Sequence, residues 1–440
     1  MNNYPRILIF GPPFNNYTGG GITLSNLFKG WPKDRIAVAA TGHVLQSVSP
    51  DVCDTYYLLG KDEHKWLFPF NYLQRTFPSG LMSFSKQEDI SKIQPRRVSM
   101  RRIVVDKLFF PFLQWIGFFH WLSKISFSSK FIDWLTEYKP EVLYFQVTSR
   151  EEILFSIKLC DYLDIPSVIH NMDDWPSTIS NKGLFKNYWR KKIDKEFRNL
   201  LDRMNLYLSI SHAMTNEYKK RYNKAFQAFH NPIETRYWQP YCKTNFNLCN
   251  YHVRILYSGR IGVGITDSLV EVANVIEEIN QSWGNIKLYI QSPSSDYKVR
   301  RRLQKHDCII INPVVDYCKL PEIFSQADIL LIANDFDKRG IDFLRYSMPT
   351  KVSEYMISGA PILLYASSET TISRFFTDNE CGCCVTEQES DKLNDAIKLL
   401  ITDEEYRRRI SKNAVNLALE LFDANRVRNE FQLLLINMIK

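Results

Sequence analysis

The sequence predicts an α/β protein built as two successive units, each a mostly parallel sheet covered by helices. Three observations predict it. Short apolar runs alternate with helical patterns along most of the chain. The alternation lapses over His230–His252 (HNPIETRYWQPYCKTNFNLCNYH), a stretch with two prolines and neither period, and then resumes. The 440 residues, 45% of them hydrophobic, exceed a single ordinary core of about 100–200 residues.

The elements follow in order. Arg6-Ile-Leu-Ile-Phe-Gly11 reads as a strand, Thr18-Gly-Gly-Gly21 as a glycine loop and Ile22 to Trp31 as an amphipathic helix. Strands are expected at Ile36–Thr41, Val142–Val147, Ser167–His170 and Leu206–Ile210, with helices at Glu151–Leu163 and His212–Tyr222. Past the linker, strands are expected at Val253–Ser258, Ile286–Ile290, Ile309–Ile311, Ile329–Ala333, Pro361–Tyr365 and Cys383–Val385. Helices are expected between them at Asp267–Asn280, Leu320–Gln326, Lys351–Ser358 and Asp391–Leu400. The domains are therefore residues 1–235 and 236–422, with a helical tail, 423–440, returning to the first. Two such Rossmann-like sheets imply a cleft, with ligands beyond the carboxyl ends of the strands.

Residues 60–135 fit neither pattern and read as an insertion rich in aromatic and basic residues. Within it, LFFPFLQWIGFFHWLS carries no formal charge over 16 residues, too few for the roughly 20 that span a bilayer. With Arg96, Arg97, Arg101 and Arg102 before it, residues 86–123 suit an anionic membrane surface; the alternative is a helix buried under its own domain. The net charge of +8 is local. Residues 86–107 hold seven Lys/Arg against three acids, and residues 182–203 hold eight against three. Neither segment carries a nucleic-acid-binding motif, so no nucleic-acid partner is expected. Nine scattered cysteines, without the paired CxxC spacing of a zinc site, read as free thiols, and Cys381-Gly-Cys-Cys384 as a turn entering a strand. The start, MNNYPRILIFGPP, lacks the pattern of a signal peptide, so a cytoplasmic protein is expected, peripheral on the inner face of the membrane if the insertion meets lipid.

The second domain carries the most specific motifs. Gly259-Arg-Ile-Gly-Val-Gly264 follows a strand and precedes a helix, where small residues let backbone amides approach phosphate and Arg260 can grip a diphosphate. In Ser347-Met-Pro-Thr-Lys-Val-Ser-Glu354, Pro349 and Thr350 suit a helix start, and Gly359 suits its end. Lys351 then stands in a first turn, where a cation opposes the helix dipole unless an anion lies beside it. Glu354, one turn on, can accept hydrogen bonds from two vicinal ribose hydroxyls; the alternative is a solvated Lys and Glu on a surface helix. Asp335-Phe-Asp337 is a competing metal-diphosphate signal, set aside because it falls late in the second block beside Lys338 and Arg339.

The SGR turn, the ADILLIA strand, the PTKVSEYMISGAPIL block and ISHAMTNEYKKRYNKAFQAFHNPIE resemble the GT-B glycosyltransferases of the retaining, glycogen-synthase-like (GT4-type) superfamily. The resemblance covers nearly the whole chain apart from residues 60–135. It implies two Rossmann-like domains facing across a cleft, with a C-terminal helix crossing back. It also implies transfer of a hexosyl unit from a nucleotide-diphosphate sugar to a glycan or lipid-linked acceptor, as in bacterial cell-surface polysaccharide synthesis. Gly20, Gly21, Gly259, Arg260 and Lys351 would meet the donor phosphates, Glu354 the ribose and Pro313-Val314 the base. His170 would face the reacting sugar, and Asp173 or Asp174 the acceptor; capping of the following turn is the other reading for the two aspartates. No cofactor or essential metal is implied.

The chain departs from the family pattern twice. A lysine usual shortly after Gly-Arg is missing between Gly262 and Thr266, and Tyr346 stands where a first glutamate is usual. Lys351 would supply the cation, and Ser347 or Tyr346 the sugar contact. Two other activities fit the same architecture, a nucleotide-sugar 2-epimerase and a nucleotide-sugar-binding protein without turnover.

Overall fold

The computed structural model describes residues 4–16, 18–41, 48–82, 108–180, 182–248, 252–293 and 296–439. The basic segment 86–107 and Cys249 lie outside them. The chain forms two compact units, Met1–Phe229 with Arg428–Lys440, and His230–Val427. The divisions thus fall at 229/230 and 427/428, against the expected 235/236 and 422/423.

In the first unit the strands are β1 (Ile7–Phe10), β2 (Ile36–Thr41), β3 (Tyr56–Leu59), β4 (His64–Trp66), β5 (Gly80–Leu81), β6 (Ser123–Ile125), β7 (Val142–Phe145), β8 (Ser167–Asn171), β9 (Leu206–Ser209) and β10 (Phe226–Ala228). Eight of them form one sheet in the order β10-β9-β8-β7-β1-β2-β3-β5, parallel but for the edge strand β5. A small antiparallel pair, β4 and β6, belongs to the expected insertion. Strands β1, β7 and β8 are buried at every position, as a sheet covered on both faces requires.

The glycine run after β1 is not a loop. It opens a helix, Gly19–Phe28, whose N-cap Thr18 accepts from the Gly21 amide at 3.1 Å. Gly21 is small because a Cβ there would stand 2.2 Å from the Asn15 side chain. The basic stretch 182–203 is largely a helix, Lys186–Leu201, that was not among the expected elements. It buries Trp189, Ile193, Phe197 and Leu200 at helical spacing and leaves its cations outside.

The second unit holds β11 (Val253–Ser258), β12 (Ile286–Gln291), β13 (Ile309–Asn312), β14 (Ile329–Ala333), β15 (Ile362–Tyr365) and β16 (Cys383–Val385). The order β13-β12-β11-β14-β15-β16 is wholly parallel. Alternate residues of β14 enter opposite cores. Ile329 and Leu331 pack with the Thr266–Trp283 and Ser390–Thr402 helices, and Leu330 and Ile332 with the Lys351–Ser358 helix.

The stretch expected as a linker is a packed part of this unit. It contains a short helix, Thr235–Trp238, and Trp238 is fully buried against Phe324. Lys243 Nζ donates to the carbonyls of Ser325 and Ala327, and Arg407 to that of Phe246. The segment lacks a period because it is held by single anchors, and truncation of a Trp of this kind costs about 3–5 kcal/mol.

The chain re-enters the first unit within the helix Ala424–Asn437. There Phe431 meets the rings of Phe28, Tyr144 and Phe229, at 5.1, 6.2 and 5.5 Å. Gln432 Nε2 donates to the carbonyls of Leu27 and Lys29, two groups that the end of the first helix leaves unpaired.

Candidate functional site

In the second unit the polar residues converge past the carboxyl end of β11. Gly259 has φ +154°, and a Cβ there would lie 3.2 Å from Lys351 Nζ, so the glycine makes room for an ammonium that arrives from 92 positions away. That ammonium sits 3.8 Å from the centre of the Tyr257 ring and 5.6 Å from that of Tyr355. The Tyr257 hydroxyl donates to the Arg260 carbonyl at 2.6 Å, and the Tyr355 hydroxyl accepts from the Ser258 amide at 2.8 Å. Two tyrosines therefore fix the turn and hold its second cation. Arg260 extends outward over Phe343 at 5.4 Å and donates to the Val263 carbonyl.

Lys351 opens the helix Lys351–Ser358, and Thr350 gives it no side-chain cap. Its leading amides therefore add to the positive field. Burial, and then the charge of Arg260, push the Lys351 ammonium down to about 7, with Glu354 acting the other way. Burial pushes Glu354 up to about 8 against the pull of Lys351. The carboxylate is 8% exposed, and no described side chain or amide hydrogen-bonds to it. Two ionisable groups thus sit desolvated and unbridged on one turn, the kind of displaced pair that clusters at functional sites.

Sequence reasoning assigned Gly259, Arg260, Lys351 and Glu354, and these gather around one turn and one helix start. Ser347 is buried on the approach to that helix, and Pro313 and Val314 follow β13, with Val314 57% exposed. Tyr257, Tyr317 and Phe343 were missed. Tyr257 looks like any core aromatic of a strand, and only its neighbours reveal its role. Tyr317 accepts from Trp238 Nε1, and its phenol is held high by burial first and then by the nearby charge of Glu354.

Asp335 and Asp337 act as caps. Asp335 accepts from the Ser268 amide at 2.9 Å, in the first turn of Thr266–Trp283, and Asp337 accepts from Gly340 at the start of Lys338–Leu344. Among the described residues no group of three or more His, Cys, Asp or Glu is placed to hold a metal. Loss of the Asp337 cap predicts that Asp337→Ala lowers the melting midpoint by an amount equivalent to about 1 kcal/mol, and nucleotide-sugar binding with and without a chelator tests the metal reading. Chelator-sensitive binding would support that reading.

The first unit corrects two expectations. His170 is 1% exposed, with Nδ1 on the Tyr144 hydroxyl and its ring 6.5 Å from Phe431. Burial pushes its imidazole down to about 3, so it is neutral, and its Nε2 is buried without a hydrogen-bond partner among the described residues. It lies on the sheet face that the C-terminal helix covers, which strand-end position alone does not disclose. Asp174 is 4% exposed and spent on structure. It takes both Arg221 guanidinium nitrogens, at 2.8 and 3.2 Å, and the Tyr218 hydroxyl at 2.9 Å. Asp173 is exposed, and a Cβ added at Gly20 would meet Met172 at 3.9 Å, so the glycine has open space beside it.

Gln146 and Asn171, which carried no sequence signal, stand past the end of β7 and at the end of β8. The Asn171 amide is buried without a hydrogen-bond partner among the described residues, and that of Gln146 is buried beside the Tyr144 hydroxyl. A cavity of about 520 Å³ lies beside the Asp174 turn, with Arg190, Lys191 and Arg221 in its wall.

Residues 294–417 match the family model described as glycosyl transferases group 1. No curated protein matches the chain by sequence. Solved structures do match in fold. The Anabaena protein HepE, in complex with UDP and glucose, aligns at 12% identity over 99% of this chain and 100% of its own, with a TM-score of 0.61. Sucrose-phosphate synthase from Thermosynechococcus elongatus aligns at 12% over 97% of each chain, with a TM-score of 0.61. An E. coli structure described as trehalose-6-phosphate bound with UDP-2-fluoro glucose aligns at 11% over 98% and 99%, with a TM-score of 0.59. The fold is GT-B, and the family match agrees with the resemblance read from the sequence motifs.

Proposed function

We propose that this GT-B chain transfers a hexosyl unit, with retention, from a nucleotide-diphosphate sugar to a hydroxyl of a glycan or lipid-linked saccharide. The proposed setting is bacterial cell-surface polysaccharide synthesis, on the cytoplasmic side of the membrane. The observation that carries the reading is the desolvated Lys351 and Glu354, unbridged, beside Arg260 and the Gly259 turn.

In this reading Arg260, Lys351 and the open helix start neutralise the diphosphate as the bond from the anomeric carbon to its oxygen breaks. Glu354 accepts the two ribose hydroxyls, Pro313 and Val314 border the base, and Ser347 lies towards the sugar. The new bond forms from the acceptor oxygen to the same carbon, and the acceptor proton passes to the departing phosphate. No protein nucleophile and no metal is assigned. Asp173 and Gly20 remain acceptor-side and donor-side candidates, and Gln146 and Asn171 join them as buried amides able to bind sugar hydroxyls.

Tyr346, standing where related enzymes carry a carboxylate, favours a second reading, binding without turnover. A panel of nucleotide sugars separates the two. Calorimetry selects the donor, and proton NMR of the product reads the anomeric configuration. An inverted product would overturn retention, and saturable binding without product would leave the binding protein. Equal binding of every donor by wild type, Arg260→Ala and Glu354→Ala would place the site elsewhere.

A further inference from the structure

The first unit exposes an apolar surface that three separate stretches build together. Phe68 is 77% exposed, Tyr72 72%, Leu108 67%, Leu184 63%, Phe112 56% and Trp115 51%. A lattice of rings beneath makes the surface continuous. Phe70 meets Phe109 at 5.4 Å and Phe118 at 5.8 Å, Phe118 meets Trp121 at 5.9 Å, and Trp121 meets Trp189 at 5.6 Å. The Leu184 amide donates to the Trp115 carbonyl at 2.8 Å, which ties the third stretch to the second. Large contiguous apolar patches of this kind mark contact surfaces.

Charge names the partner. Residues 64–82, 108–124 and 182–193, which supply the surface, contain eight lysines and arginines and no aspartate or glutamate. Lys186 and Arg190, both exposed, stand on the helix whose first turns carry Phe185 and Tyr188. The helices Phe110–Trp115 and Phe119–Leu122 are short, and no described helix is long and apolar enough to cross a membrane. Exposed Trp, Phe and Tyr with a cationic rim suit the headgroup zone.

We infer that this aromatic, cation-rimmed face of the first unit docks on an anionic lipid bilayer surface, the rings entering the headgroup layer and Lys186 and Arg190 meeting lipid phosphates. Docking takes its purpose from the lipid-linked acceptor proposed above, and it is tested apart from that reaction. The site differs from the one expected at residues 86–123, because half of the exposed residues named above, Phe68, Tyr72 and Leu184, come from residues 64–82 and 182–193.

The test is flotation of the full chain with phosphatidylcholine vesicles and with vesicles enriched in phosphatidylglycerol. Wild type floats with the second. Lys186→Gln with Arg190→Gln partitions roughly thirtyfold more weakly, since each cation near an anionic surface contributes about fivefold. Phe112→Ser with Trp115→Ser, both exposed and outside the buried core, fails to float at any lipid charge. Unchanged melting and unchanged nucleotide-sugar binding show that the variants fold. Failure of wild type to bind anionic vesicles, equal flotation of all three proteins, or a lipid-free dimer that Phe112→Ser with Trp115→Ser dissociates would each overturn the inference. A chain that floats but transfers no sugar sinks the proposed reaction alone. One that glycosylates a soluble acceptor without floating sinks the docking alone.

Discussion

Affinity for a nucleotide-diphosphate sugar peaks between about pH 7 and pH 8 and falls about tenfold per pH unit on either side. The cause is the pair of displaced groups, Lys351 down to about 7 and Glu354 up to about 8. The bound state wants Lys351 charged against the diphosphate and Glu354 charged against the ribose, one proton on the pair in all. Below pH 7 the free pair holds two protons, so binding releases one and affinity rises with pH. Above pH 8 the free pair holds none, so binding takes one up and affinity falls. Between these limits the proton moves from Glu354 to Lys351 with little exchange.

Calorimetry in buffers of different ionisation enthalpy reads each limb. Glu354→Gln removes the acid limb. Lys351→Met removes the alkaline limb and weakens binding roughly 10²-fold, the loss of one charge-assisted contact in a dry site. A monotonic profile, or one that keeps both limbs in Lys351→Met, would falsify the assignment.

Stability follows the opposite course in the ligand-free protein. Glu354 gains a proton on folding between its ordinary value of 4.5 and about 8, so its contribution falls as pH rises through that window. Lys351 loses a proton on folding between about 7 and 10.5, so its contribution rises with pH there. Together they stabilise least between pH 7 and pH 8, where the donor binds best. Lys351→Met accordingly raises the melting midpoint of the free protein while it weakens donor binding, a separation that a merely structural lysine would not produce.

Arg221→Met costs the first unit about 3–5 kcal/mol, because it leaves the nearly buried Asp174 carboxylate with only the Tyr218 hydroxyl. For a unit of this size the melting midpoint falls by roughly 10 °C. Asp174→Asn added to Arg221→Met restores most of the loss, since the buried charge goes with its partner. Were Asp174 an acceptor ligand, Asp174→Asn would cut kcat/KM for the acceptor at unchanged stability. Thermal unfolding of the single and double variants decides between these outcomes.

The candidate residues of the second unit were more legible in sequence than those of the first, and the reason is local. Arg260 follows a strand by two residues, and Lys351 and Glu354 share one helix turn, so strand end and helix start alone bring each group to the carboxyl edge of its sheet. His170 is the last residue but one of β8, yet whether such a residue faces ligand or core depends on what covers that face. Here Phe431, 261 positions later, covers it. Asp174 stood beside Asp173 with nothing in the sequence to part them. Arg221, from another helix, pairs with Asp174 and leaves Asp173 exposed.

The sequence by itself determined the α/β alternation, the two sheets and the extent of the Lys351–Ser358 helix, because periodicity, caps and glycine stops act over a few residues. Tertiary structure alone decided that Gly259 receives an ammonium rather than only freeing a turn, that Asp335 caps a helix 67 positions earlier, and that three unrelated stretches merge into one aromatic face. Each depends on which side chains meet when strands pair in a given register and helices cover a given face. Chain distance carries no information about that meeting.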